Sequence, residues 1–363
     1  METLTSIDGL LEQMVALGAS DLHITVGSPP AYRVRGHISR MDGIEPFTGD
    51  DTRALLYRIL SSEQQKHFEL NRQLDFAYAM PGLARFRVNV YYQSESVGAA
   101  FRLIPQEIKS LEELNLPPIL HTLAEYPRGL VLVTGPTGSG KSTTLAAIID
   151  EINRTRAEHI LTVEDPIEFV HRHKRCIVNQ REIGPDATSF ANALKAALRQ
   201  DPDVILVGEM RDLETIQTAL TAAETGHLVF GTLHTQSAPS TIDRIVDVFP
   251  PEQQGQVRAQ LSIGIQGIVT QTLIPTADGN GRCVAAEVLI PTPGVRNLIR
   301  EGKTHQIYSL IQTGGQHGMQ TMDASLAGLV AHGRITMAAA ETRASEPAEM
   351  RKLVESGHLA MVA

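Results

Sequence analysis

The residues with the clearest chemistry lie between Gly135 and Ser142, which match the phosphate-loop pattern G-x-x-x-x-G-K-[ST]. Glycines in this pattern let backbone N–H groups approach a phosphate without a Cβ in the way. The Lys141 ammonium would reach the β- and γ-phosphates of a nucleotide, and the Ser142 hydroxyl would hold Mg²⁺. The predicted nucleotide-binding residues are Gly135, Pro136, Thr137, Gly138, Ser139, Gly140, Lys141, Ser142 and Thr143.

The segments on either side of this loop give the pattern its structural context. Gly129–Thr134 is a short apolar, β-branched run, which is typical of a buried parallel strand. Residues 142–149 are rich in helix formers, and the resulting helix would present its positive N-terminal end to the same anion. Strand, loop and helix follow in the required order. This order predicts a site for a nucleoside triphosphate, ATP, rather than a chance glycine-rich turn.

Three later strands are each followed by a polar side chain. The predicted strands cover residues 159–163, 204–207 and 227–233, and the side chains that follow belong to Glu164, Glu209 and His234. The carboxyl ends of parallel strands meet at the ligand crevice of an α/β sheet. We therefore expect these three groups to lie near the γ-phosphate.

Each of the three has a catalytic interpretation and a structural one. Glu164 is the candidate base for the attacking water, or it belongs to a strand-end turn stabilised by Asp165. Glu209 acts through a metal-bound water or polarises the nucleophile, or it is purely structural; a catalytic use is favoured because an acid after an apolar strand is costly unless it is used. Gly208 stands where the usual Walker B pattern has a Mg²⁺-binding Asp. His234 is a candidate γ-phosphate sensor or a structural histidine.

An earlier pair of arginines raises an electrostatic question. Residues 84–104 alternate as two strands, and a turn at Ser94-Glu95 puts both apolar sets on one face. The same register places Arg87 directly opposite Arg102, which is destabilising for like charges unless both are well solvated. The alternative is an anion between them. A γ-phosphate bound to a neighbouring subunit would serve, with Arg87 and Arg102 as arginine fingers donated in trans.

The whole-chain composition limits the functional class. The 363 residues are 42% hydrophobic with a net charge of −9, which indicates two or three domains and argues against nucleic acid as the main partner. Cys176 and Cys283 form no C-x-x-C pair, so we expect neither a disulfide framework nor a tetracysteine zinc site, in keeping with a cytoplasmic protein. We expect no signal peptide and no direct membrane insertion, because no apolar run reaches the ~18 residues of a membrane span.

The remaining patterns predict a small mixed domain before the phosphate loop. We assign residues 1–104 to it, residues 105–118 to a proline-containing linker, and residues 119–363 to the nucleotide-binding domain and a C-terminal helical region. Predicted strands in the first domain cover 21–26 and 32–38, and predicted helices cover 4–17, 51–60 and 63–68. In the second domain, helices are predicted at 189–200, 216–224, 243–251, 252–272, 293–301, 307–311, 324–330 and in the tail from 338, and two late strands are predicted on either side of a hairpin turn at 278–281.

Several motifs together resemble the family of type II secretion and type IV pilus ATPases, and within it the branch that retracts pili. The resemblance covers nearly the whole chain. The motifs that carry it are 84–90, 101–105, the phosphate loop from Gly135 to Thr144, the Asp box 162–169, the Walker B segment 206–212 and the His box 225–235. Gly208 agrees with the family's own Walker B pattern.

The resemblance implies an α/β fold: a RecA-like P-loop ATPase domain with a mostly parallel sheet, and a smaller α+β PAS-like N-terminal domain. It implies a Mg²⁺-dependent ATP hydrolase that works as a homohexamer, with ATP between the two domains and with arginines, here Arg87 and Arg102, donated by the N-terminal domain. It also implies recruitment from the cytoplasm to the inner-membrane face of a pilus machine, where a platform protein and possibly a retraction paralogue would be partners.

The direction of action rests on weaker features. Extension and secretion motors of the family carry an extra N-terminal domain and a tetracysteine insert, which this sequence does not show. Residues 294–301 are similar to a C-terminal motif of retraction motors, although they also read as an ordinary amphipathic helix. An extension or secretion motor and a DNA-translocating RecA-like hexamer remain the alternatives.

Overall fold

Two β-sheets, one in each part of the chain, organise the fold. The computed structural model describes residues 6–34, 36–104 and 107–356. It divides the chain into two units, Met1–Glu107 and Ile108–Ala363. Four parts of the predicted elements lie outside the described residues. They are residues 4 and 5 of the predicted helix 4–17, Arg35 of the predicted strand 32–38, residues 105 and 106 of the predicted linker, and the tail from residue 357.

The first unit is a six-stranded antiparallel sheet with helices packed on one face, in the order β3-β2-β1-β6-β5-β4. Its strands are β1 (Asp21–Ile24), β2 (Ala31–Val34), β3 (His37–Arg40), β4 (Gln73–Met80), β5 (Ala84–Gln93) and β6 (Ser96–Ile104). Its helices are α1 (Ile7–Ala16), α2 (Gly49–Tyr57) and α3 (Ser62–Asn71). One face of the sheet is covered by an apolar core that includes Phe68, Phe86 and Phe101.

The predicted hairpin is confirmed residue by residue. β5 and β6 pair antiparallel with Val88 opposite Phe101 and Arg87 opposite Arg102. The single strand predicted at 32–38 is wrong, because the chain reverses at Gly36, where φ is +86°, and continues as the separate strand β3. A glycine at a positive φ marks a turn rather than a strand interior.

The second unit is built on a seven-stranded sheet in the order β13-β12-β7-β11-β10-β8-β9. Its strands are β7 (Gly129–Thr134), β8 (His159–Glu164), β9 (Ile177–Glu182), β10 (Val204–Val207), β11 (Leu228–Leu233), β12 (Ile265–Pro275) and β13 (Arg282–Leu289). All neighbours pair in parallel except β12 and β13, which form an antiparallel hairpin. β7, β10 and β11 are buried along their whole length, which explains their continuous apolar sequences.

Helices surround this sheet and extend beyond it. They are α4 (Ile119–Glu125), α5 (Lys141–Thr155), α6 (Phe190–Ala197), α7 (Leu213–Glu224), α8 (Ala238–Asp247), α9 (Pro251–Gly264), α10 (Pro293–Glu301), α11 (Ile307–Thr313), α12 (Met322–Ala331), α13 (Met337–Glu341) and α14 (Pro347–Ser356), with short 3₁₀ turns at Thr304–Gln306 and Gly315–His317. A mostly parallel sheet with helices, beside a smaller α+β unit, confirms the predicted α/β class. The predicted linker contributes Leu111 and Leu116 to the core of the second unit.

Several predicted elements of the second unit are wrong. The helix predicted at 252–272 ends at Gly264, and the chain continues as β12. The helix predicted from Asp243 begins at Ala238, because Ser237 and Ser240 form a capping box there. The tail holds two helices, α13 and α14, rather than one. β4 and β9 were not predicted at all.

Among the described residues, no helix has the length and apolar character required to cross a bilayer.

The exposed tip of the β5–β6 hairpin offers a test of local backbone geometry. Ser94 and Glu95 both adopt positive φ, 46° and 62°, which is the geometry of a two-residue type I′ turn.

Glu95→Gly is therefore expected to stabilise the first unit by about 0.5–1 kcal/mol, because glycine adopts positive φ without strain. Gln93→Gly, two residues earlier in β5, is the matched control. It is expected to destabilise the unit by a similar amount, since glycine loses more backbone freedom than glutamine when it is fixed in an extended strand position. Calorimetric melting of the full chain measures both, and a lower melting temperature for Glu95→Gly would contradict the assigned turn.

Candidate active site

The phosphate loop joins β7 to α5 with the backbone geometry that an anion site requires. Gly140 precedes α5 with φ +89°, and no side chain of the described residues caps this helix end, so its first N–H groups stay available. Gly135 has φ +136°, and a Cβ there would lie 2.2 Å from the Gln271 carbonyl oxygen and 2.7 Å from Ser139 Oγ. Only glycine fits at the first position of the loop.

Lys141 lies folded over its own loop. Its Nζ donates to the carbonyl oxygens of Gly135, at 2.9 Å, and Pro136, at 3.1 Å. Burial lowers the pKa of the Lys141 ammonium, and the charges of Glu209 and Glu168 partly oppose that shift. A phosphate oxygen could replace these carbonyl contacts and pair with the buried charge. Ser142 and Thr143 follow in the first turn of α5, both partly exposed.

Glu164 ends β8, as predicted. Its Oε1 accepts hydrogen bonds from Thr162 Oγ1 at 2.7 Å and from Gln180 Nε2 at 3.1 Å. Burial raises the pKa of the Glu164 carboxyl, and these two donors offset only part of the rise. A carboxyl with a raised pKa suits proton transfer near neutral pH.

Glu209 and His234 meet at neighbouring strand ends. His234 Nε2 lies 3.0 Å from Glu209 Oε1, and Arg211 Nε contacts the same oxygen. The Glu209 side chain is largely buried while that of Arg211 is exposed. The carboxylate is therefore held between the His234 ring and the Arg211 guanidinium, which fixes its position.

One open cavity of about 530 Å³ is lined by a residue of the phosphate loop together with Glu209 and His234. Its walls include Thr137, Glu209, Arg211, His234, Thr235 and Arg244. It thus joins the phosphate loop to two of the three predicted strand-end residues. Glu164 is not among the residues that line this cavity.

Gly208 has a steric reason for its identity. A Cβ at this position would lie 3.1 Å from the Val163 carbonyl oxygen and 3.2 Å from Glu164 Cα. The neighbouring strand β8 thus passes too close for the side chain of an Asp, so a carboxylate cannot occupy this position without local movement.

Arg87 and Arg102 lie on the exposed face of the first unit, and internal carboxylates flank both. Arg102 Nε donates to Asp21 Oδ1 at 2.8 Å, and Arg33 Nε lies 3.5 Å from Asp21 Oδ2. Arg87 Nε lies 4.0 Å from Asp75 Oδ1. The repulsion between the paired arginines is thus relieved in part by carboxylates of the same unit, which the sequence interpretation did not consider.

The pKa of Asp21 reflects this arrangement. Burial raises it, but hydrogen bonds from Arg102 and Ser20 and the charges of Arg102 and Arg33 outweigh burial, so the pKa lies below its usual value. Asp21 therefore stays ionised, and its negative charge offsets part of the positive charge of Arg33 and Arg102.

Four residues of the site region were not predicted from the sequence. Gln180 and Glu168 contact or face the predicted residues, Arg244 lines the cavity, and Gln271 donates to the Ser139 carbonyl oxygen at 2.7 Å. Gln180 and Gln271 lie on strands that were unpredicted or read as helix. Arg244 lies on α8, one residue after the mistaken helix start, and only its proximity in sequence to His234 could have indicated it.

Comparison with known proteins identifies a family model and several relatives that this chain is similar to. Residues 100–342 match the model of the family described as type II/IV secretion system protein. The chain is 54% identical over 341 residues to the type IV pilus retraction ATPase PilT of Pseudomonas aeruginosa, covering 94% of this chain and 98% of the relative. It is 53% identical over 321 residues to a twitching motility protein of Neisseria gonorrhoeae, covering 88% and 86%.

A solved structure agrees over the same length. The crystal structure of the pilus retraction motor PilT with bound ADP matches with a TM-score of 0.90 and 52% identity. The match covers 96% of this chain and 99% of that chain. The match therefore extends over most of both units of this chain.

Glu164→Gln is expected to make the folded chain more stable than wild type, by an amount that grows as the pH rises. The folded state holds a proton that the unfolded chain releases at the usual glutamate pKa, so wild-type stability falls as the pH rises from that usual value to the raised pKa of the folded state. An amide cannot ionise, so the variant avoids this loss. Urea unfolding at several pH values measures the difference, which should vanish in acid.

Glu341→Gln is the control with the opposite sign, because a hydrogen bond from Arg351 lowers the pKa of Glu341. Its variant should lose stability at neutral pH relative to acid. A pH-independent difference between wild type and Glu164→Gln would contradict the burial of the Glu164 charge.

Proposed function

The chain belongs to the type II/IV secretion system protein family, and on that premise we propose that it is a hexameric ATPase motor that powers retraction of type IV pili and twitching motility. The observation that carries this proposal is the near full-length match to a pilus retraction ATPase. The extension and secretion motors of the family are the alternative. The phosphate loop and the Glu209–His234 contact support ATP as the substrate in either case.

The proposed reaction is the hydrolysis of ATP. A water molecule attacks the γ-phosphorus in line, the bond to the β,γ-bridging oxygen breaks, and ADP and phosphate leave. Lys141 and the α5 N-terminus bind the phosphates. Glu164 is the candidate that accepts the proton of the attacking water, and Glu209 orients that water while His234 senses the γ-phosphate. Mg²⁺, held by the Ser142 hydroxyl, would neutralise charge on the phosphate oxygens when bound.

The arginines of the first unit complete the site in our proposal. Arg87 and Arg102 of one subunit contact the γ-phosphate bound to its neighbour, so each site needs two subunits. Occupancy of the shared site then sets the relative angle of domains, and successive hydrolysis turns or pushes a platform protein at the inner-membrane base of the pilus. A retraction paralogue is a further possible partner, whereas nucleic acid is not expected.

Expression of this chain in Pseudomonas aeruginosa lacking PilT tests the direction of action. We expect twitching zones to return and surface pili to fall to wild-type levels, because a retraction motor removes pili. Lys141→Ala and Glu209→Gln should restore neither, and in a phosphate-release assay each should lower kcat at least ~100-fold. If the chain instead restored pili to an extension-deficient strain and did not restore twitching to the strain lacking PilT, it would be assigned to extension.

A mixing experiment tests the shared site. Arg87→Ala and Lys141→Ala should each be nearly inactive, yet an equimolar mixture should recover about a quarter of the wild-type rate, since a quarter of random head-to-tail interfaces pair an intact loop with an intact arginine. The control replaces Lys141→Ala with the double variant Arg87→Ala/Lys141→Ala, which should recover nothing. Recovery absent from the first mixture would show that Arg87 is not donated across a subunit interface.

A further inference from the structure

β12, whose residues 265–272 the sequence pattern presented as part of a helix, runs in parallel beside the phosphate-loop strand β7. It carries a completely buried amide, Gln271, whose Nε2 donates to the Ser139 carbonyl oxygen in the middle of the loop at 2.7 Å. Because the partner is a carbonyl oxygen, the amide can face it only with its NH₂ group. The hydrogen bond therefore fixes both the loop and the side chain.

The contact is not confined to one atom. The main-chain oxygen of Gln271 lies so close to Gly135 that a Cβ there would approach it to 2.2 Å, and a Cβ at Gly140 would lie 3.1 Å from Gln271 Nε2. One residue thus touches the first and last glycines of the loop and bonds its centre. One position earlier, Thr270 Oγ1 lies 2.8 Å from Thr134 Oγ1 and holds the two strands in register.

Two buried polar atoms at this contact have no hydrogen-bond partner among the described residues: Gln271 Oε1 and Ser139 Oγ. Buried polar groups are nearly always paired, so an unpaired one calls for a structural or functional explanation. A hydroxyl can donate and an amide oxygen can accept. The side chains of Ser139 and Gln271 thus retain unused hydrogen-bonding capacity next to the phosphate loop.

We propose that Gln271 is a positioning residue that pins the phosphate loop through Ser139 and so sets the affinity of the chain for nucleoside di- and triphosphates. The inference rests on the proposed nucleotide site. Without the pin, the loop samples conformations that cannot bind, and the apparent dissociation constant rises by the inverse of the competent fraction. Gln271 itself need not touch the nucleotide.

Gln271→Met tests the pin with little change of volume. Binding of a fluorescent ADP analogue to the full chain should weaken about tenfold, the usual worth of one buried hydrogen bond. The matched control is Gln266→Met on the same strand, whose amide donates to the Arg128 carbonyl oxygen at the opposite end of β7. It should bind the analogue as wild type does. Equal affinity of Gln271→Met and wild type, whatever their melting temperatures, would overturn the inference.

Gln271→Glu adds a readout that a purely structural role would not give. An ionised carboxylate facing the Ser139 carbonyl oxygen is repelled, whereas the protonated acid can donate to it. Affinity of this variant should therefore recover as the pH is lowered, relative to wild type at each pH. A constant ratio across pH, or failure of both variants to fold, would show that the amide serves the fold rather than the loop.

The proposed function and this inference can fail separately. Absence of ADP binding by the wild-type chain would remove the nucleotide site itself. Tight binding by wild type together with unchanged binding by Gln271→Met would leave that site intact and remove only the role of Gln271.

Discussion

The fold depends on one sharp passage of the backbone, from the end of β7 through the loop to the start of α5. At this point the chain must expose several N–H groups in one direction, and such groups cannot be left buried without a partner. Positive φ at Gly135 and Gly140 makes the passage possible, and close contact with β12 restricts it. The central position of β7, with a parallel neighbour on each side, then brings the end of β11 to the same edge.

Electrostatics around that edge follow a consistent plan. Lys141 is a buried cation held by carbonyl oxygens, Glu209 is a carboxylate between His234 and Arg211, and Glu164 is a carboxyl whose burial favours its neutral form. Each charge thus has a local partner or a raised cost of ionisation. Groups arranged in this way can exchange partners with an incoming phosphate without a large change in solvation.

Much of this arrangement could be predicted from sequence because its signals are local. The phosphate loop, the apolar strands β7, β10 and β11, and the polar residues at their ends are read directly from residue type. The Arg87–Arg102 register followed from alternation together with a two-residue turn at Ser94-Glu95. β12 could not be read in this way, because its residues Ile265 and Ile268 continue the helical spacing of Val257 and Leu261 in α9 across the boundary at Gly264. Pairing with β7 decides the conformation there, and local periodicity carries no record of it. Asp21 escaped for a related reason, since only the β1–β6 pairing brings it to Arg102.

The sharing of Asp21 between Arg33 and Arg102 has a consequence for selectivity. An arginine with a resident carboxylate does not present a bare charge to the solution, so chloride and other singly charged ions gain little by approaching it. A ligand must offer more negative charge and better bidentate geometry than Asp21 does before the guanidinium will change partners. In the proposed shared site, a phosphate group would therefore have to compete with Asp21 for the guanidinium of Arg102.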